Sequence, residues 1–162
     1  MIQLTDFIEL AEVRAVLGVS EYELTDETLG LPIYSRGIER TLRGISDGTN
    51  NLLTIFDTAS ASSDDDDLYL ADQIRQLVVY STAAMCLSGL SLFAPKSTSD
   101  GKATETRFSS EAAFKDVAAN VNAALTSITR DILEAIGADA ASFGQHTLIT
   151  RAEPSIDVVT GE

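Results

Sequence analysis

The sequence predicts an all-α fold, a small bundle of about four helices with a long central loop and an extended C-terminal arm. Three observations carry this. Apolar residues recur three and four apart in several segments, the period of one helix face. Small, helix-favouring residues are plentiful in the second half of the chain. Glycine, serine and threonine fall where such segments would stop and start. The chain has 162 residues, enough for a single core without covalent staples, and its one cysteine, Cys86, excludes an internal disulfide. The helical unit is expected to span residues 1–136, with 46–67 as a loop or linker inside it and 137–162 as the arm.

The first helix is expected at 5–17, where Phe7, Leu10, Val13 and Leu17 share one face and Ala11 widens it. Gly18 is a natural stop, since glycine takes the left-handed cap conformation without a side-chain clash. Ser20 and Glu23 have capping-box spacing, and Thr25 caps a further segment with Asp26 and Glu27 in its first turn. Pro32 breaks or kinks that segment. Beyond it the apolar line runs Ile33, Ile38, Leu42 and Ile45, while Arg36, Arg40 and Arg43 recur on another side. Such a stripe is commonly a solvated face. It is also a candidate subunit interface, because an acidic chain that self-assembles must relieve its own repulsion.

Between 46 and 67 the pattern dissolves into the turn-forming SDGTNN, the apolar anchor LLTIF and the linker TASASS, followed by four aspartates. Those aspartates lack the alternating ligands, glycine and distant glutamate of a calcium loop. They suit the N-terminus of the next helix, where the dipole favours negative charge. That helix is expected at about 68–92, with Leu70, Ile74, Leu77, Tyr80, Ala84, Leu87 and Leu90 along one line. From Leu77 onward it is apolar on most sides, the mark of a bundle's centre. Gln76, Ser81, Thr82, Ser88 and Ser91 favour such a central helix over a membrane span.

The loop that follows, FAPKSTSDGKATETRF, gathers unusual chemistry in Lys96, Asp100, Gly101, Lys102, Arg107 and Phe108. It is a candidate partner-contact loop, set against a plain polar hairpin turning at Asp100-Gly101. Ser109 or Ser110 opens the last helix, which Gly137 stops. Phe114, Val121, Ile128 and Ala135 repeat every seven residues, interleaved with Ala118, Leu125 and Ile132, a pattern for packing on another helix. The remaining arm carries two β-prone runs, HTLIT and SIDVV. Leu148, Ile149, Ile156, Val158 and Val159 are its candidate docking residues.

Charge narrows the function. With 11 basic against 25 acidic residues the net charge is −14, which opposes gripping DNA but suits a channel wall past which DNA must slide. The opening MIQLTDFIEL lacks the basic start and apolar core of a signal peptide. No enzyme is expected and no cofactor. His146 is the only histidine, the thiol lies on a helix expected to be buried, and Gly44 and Gly48 lack the lysine of a phosphate loop. An acidic helical regulator that mimics DNA in a partner's basic groove is the alternative to a structural role.

Three stretches together resemble the head-to-tail adaptor (connector, or head-completion) proteins of tailed bacteriophages. They are AEVRAVLGVSEYELTDETLGLPIY, the central helix running into LSLFAPK, and DGKATETRF leading into a long amphipathic helix. The resemblance spans roughly residues 8–136, and the Ser-rich, tetra-aspartate stretch at 58–67 departs from its pattern. It implies a helical bundle copied into a ring of about twelve subunits closed by heterologous contacts. Such a ring sits beneath the portal in the neck of the virion, after assembly in the host cytoplasm, without a membrane anchor. Its partners would be the portal protein and a tail or nozzle protein, with the genome passing through without specific binding. The arginine stripe and the acidic segment up to Leu31 (seven acids, one base) are then the expected two faces of the subunit contact.

Overall fold

The computed structural model describes residues 2–93, 98–99, 104–105 and 111–137, and what it describes is mostly α-helical. A 3₁₀ turn, Leu4–Asp6, precedes α1 (Leu10–Leu17), α2 (Asp26–Leu29), α3 (Pro32–Gly44), α4 (Leu52–Ser60), α5 (Asp65–Phe93) and α6 (Glu111–Ala135). Between α5 and α6, β1 (Thr98–Ser99) and β2 (Thr104–Glu105) pair antiparallel. The 29-residue α5 packs against α1, α3, α4 and α6 and so forms the axis of the core.

The single first helix expected from Thr5 is two elements. Asp6 accepts from the Gln3 amide at 2.8 Å and Glu12 from the Glu9 amide at 3.0 Å. Each is half of a capping box, and two start signals so close together open two separate helical pieces. Phe7 is buried in the turn, while Val13 and Leu17 are buried on α1 and Ala11 is exposed. Gly18 ends α1 at φ 67°, the left-handed conformation expected of it. Arg14 then fastens α1 to the next segment, donating to the Leu24 carbonyl at 3.3 Å and to Asp26 at 2.6 Å. Thr25 caps α2 by accepting from the Thr28 amide.

The break expected at Pro32 falls between α2 and α3, and Pro32 stands at the first position of α3, where its missing N–H is no loss. Ser35, Ile38 and Leu42 are buried along this helix, whereas Ile33 is 69% exposed. Ile33 cannot share the face of Ile38, because five residues turn a helix about 140° past a full revolution. A tight turn follows. Asp47 accepts from the Thr49 and Asn50 amides at 2.7 and 2.6 Å, and Leu52 donates back to the Ile45 carbonyl. The Asn50 and Thr49 amides hold the Asp47 carboxylate below its ordinary pKa.

The 46–67 stretch is not a linker throughout, for α4 lies within it. Asn51 caps α4 by accepting from the Thr54 amide, and Leu52, Phe56 and Ala59 bury one face. Phe56 meets Phe7 at 4.8 Å between ring centroids, and the Arg75 guanidinium of α5 sits 5.4 Å over its ring. Asp65, Asp66 and Asp67 occupy the first turn of α5, as the dipole argument requires. On α6, Val121, Ile128 and Ile132 are buried with Leu133, while Ala135, the last heptad position, is exposed.

At the α3–α5 contact, a side-chain carbon at Gly37 would lie 2.6 Å from the Met85 Sδ, so the helices meet at a position that suits glycine. Cys86 is 2% exposed beside Tyr34, and burial pushes its thiol pKa up. Burial, followed by the neighbouring Cys86, pushes the Tyr34 phenol up to about 12. Deeper in α5, the buried Thr82 hydroxyl donates to the Val78 carbonyl at 2.8 Å. The equally buried Ser81 hydroxyl has no hydrogen-bond partner among the described residues.

Two predictions follow from this packing. Ser81→Ala removes an unsatisfied buried hydroxyl and is expected to raise stability by about 1 kcal/mol in urea denaturation, since desolvation is no longer uncompensated. A loss of stability would show that the hydroxyl is partnered. The Tyr34 phenol ionises near pH 10 when unfolded and at about 12 when folded, so its stabilising contribution is complete below pH 10. That contribution is lost as pH rises through about 12. Tyr34→Phe is therefore expected to flatten the fall of the urea midpoint between pH 9.5 and 12 (about the range of this titration), and an unchanged slope would contradict it.

Candidate interaction surface

The feature that sets α3 apart is its outer side. Ile33, Arg36, Arg40 and Arg43 fall three or four apart and form one line, turned away from the buried Ser35, Ile38 and Leu42. All four are exposed, and Leu31, just before the helix, is 50% exposed. From Ile33 to Arg43 the line is about 15 Å long at the usual helical rise. Arg43 pairs with Glu39 at 3.1 Å, one turn back on the same helix. Among the described residues, Arg36 and Arg40 make no ion pair. An exposed pair such as Arg43–Glu39 contributes little to folding, so the stripe is not explained by the stability of this chain.

Acidic groups occupy other exposed surfaces. All seven acids up to Leu31 are exposed, but four are bound locally: Asp6 and Glu12 in caps, Glu23 with Ser20, and Asp26 with Arg14. The second acidic surface is at the start of α5. Asp64 holds the Asp66 amide at 2.9 Å, whereas among the described residues the carboxylates of Asp65, Asp66 and Asp67 have no bonded partner. Leu68 and Tyr69 beside them are 43% and 63% exposed. Sequence reasoning missed the exposed apolar residues Leu31, Ile33, Leu68 and Tyr69. Only the five-residue interval between Ile33 and Ile38 signalled one of them.

The described surface offers little to a small molecule. A shallow hollow of about 190 Å³ between α4 and α5 is lined by Asn50, Thr54, Thr58, Asp67 and neighbouring apolar groups. Small-molecule sites are usually larger, roughly 300–1,000 Å³, and bring several polar groups together. Among the described residues, no cluster of three histidine, cysteine or acidic side chains is placed to hold a metal ion. None of the helices searched there is long and apolar enough to cross a membrane. The candidate loop residues Lys96, Asp100, Gly101, Lys102, Arg107 and Phe108 lie outside the described residues, as does the whole candidate docking arm. No protein-family model, curated protein or solved structure matches the chain.

Since among the described residues Arg36 and Arg40 make no ion pair and Arg43 makes only the weak intrahelical one with Glu39, Arg36→Glu, Arg40→Glu and Arg43→Glu are each expected to change folding stability by less than about 0.5 kcal/mol. Thermal denaturation followed by circular dichroism checks this. A large loss of helix would mean that the arginines hold the fold together.

Proposed function

We propose that this chain is a structural subunit of the neck of a tailed bacteriophage, an adaptor that assembles into a ring of about twelve copies beneath the portal. In this reading α1, α3, α5 and α6 make a bundle of about four helices, and residues 137–162 are an arm that docks on a neighbour or on the portal. One observation carries the proposal: an exposed, cationic and partly apolar helix face on a subunit that is otherwise strongly acidic. Such a face has a use in self-association, because it gives an acidic chain one surface that another copy can approach. The sequence resemblance to phage adaptors supplies the particular ring, and the acidity supports it. A ring wall rich in carboxylates repels the phosphate backbone and leaves the genome free to move.

Sedimentation of the purified chain, alone and mixed with its cognate portal, followed by electron microscopy, tests the proposal. The expected result is a ring seated on the portal, with no retention on double-stranded DNA at physiological salt. A chain that stays monomeric beside the portal sinks the adaptor reading. If it instead binds the groove of a basic DNA-binding protein, the DNA-mimic alternative takes its place.

A further inference from the structure

Resting on the ring reading, we infer that the outer face of α3 docks the N-terminal end of α5 of a second copy of this chain. The two surfaces are complementary in charge and in composition. One joins Arg36, Arg40 and Arg43 to the exposed Leu31 and Ile33. The other joins Asp65, Asp66 and Asp67 to the exposed Leu68 and Tyr69. Arg36 and Arg40, which make no ion pair among the described residues, and Arg43, which pairs with Glu39, face three anions, and each set has two exposed apolar neighbours to bury. The acidic segment up to Leu31 is a poorer counterpart, because four of its seven carboxylates already serve caps or the Arg14 pair. A carboxylate already bonded would give up that bond to reach a new arginine, whereas among the described residues the carboxylates of Asp65, Asp66 and Asp67 have no hydrogen bond or ion pair to give up.

The pairing is heterologous, one surface against a different one, so each subunit keeps one face free for the next copy and a ring or filament results rather than a closed dimer. Apolar contact supplies affinity, while charge sets register and opposes the symmetric alternatives. Two α3 faces repel each other, as do two α5 ends.

Complementation between two charge-reversed chains tests it. The first carries Arg36→Glu, Arg40→Glu and Arg43→Glu. The second carries Asp65→Lys, Asp66→Lys and Asp67→Lys and keeps Asp64, which holds the Asp66 amide. Each variant alone sets like charges across the contact and is expected to sediment as a monomer. Mixed in equal amounts they regain assembly, since glutamates of the first meet lysines of the second and the native surfaces meet at the other contact. Assembly of either variant alone, or no recovery in the mixture, overturns the inference while wild-type rings leave the adaptor reading standing. A wild-type chain that never assembles removes both. Lysines at a helix N-terminus oppose the dipole, so circular dichroism accompanies each sample. Should the second variant lose helix, Asp65→Asn, Asp66→Asn and Asp67→Asn replaces it. Weaker assembly at unchanged helicity then supports the pairing, and wild-type assembly overturns it.

Discussion

The packing of α5 on several helices at once is the constraint on which the rest of the structure depends. A helix covered on one side needs only an apolar stripe, but one that meets α1, α3, α4 and α6 must be apolar or small around most of its circumference. Ala71, Ile74, Val78, Ala83 and Cys86 are all buried on it. Of its buried hydroxyls, Thr82 is satisfied by the helix itself through the Val78 carbonyl, while Ser81 finds no partner among the described residues. The partners adapt in turn. Gly37 gives α3 the clearance that Met85 occupies, and Phe56 brings α4 under the Arg75 guanidinium.

With the apolar surface drawn toward α5, the acids are left outside, and several do local structural work there. Asp6 and Glu12 start helical pieces, Asp47 closes a turn, and Asp65, Asp66 and Asp67 sit at the positive end of the longest helix. These roles cost little in a chain that stays apart from its copies. They become a burden on association, because like charges on approaching subunits repel across a Debye length of about 10 Å. If copies of the chain assemble as proposed, the arginine face of α3 gives them one surface to approach.

Legibility from sequence followed the range of the forces involved. Gly18, Thr25 and Gly137 act within one turn, and all three take the roles expected of them, Gly137 at φ 66°. The burial of Cys86 was legible because twenty residues around it carry one pattern. The nine-residue α4 was not, since a helix so short is marginal in isolation. Its stability comes from burying Leu52, Phe56 and Ala59 against distant parts of the chain.

The sequence by itself determined the helical class, the start and stop of the longer helices, and the line of arginines, because periodicity and capping are local and need no partner. Tertiary structure alone decided that Leu31 stays beside those arginines in solvent, and that Leu68 and Tyr69 do the same beside the aspartates. Exposure depends on which segments of the whole chain arrive to cover a surface. No interval between neighbouring residues encodes that.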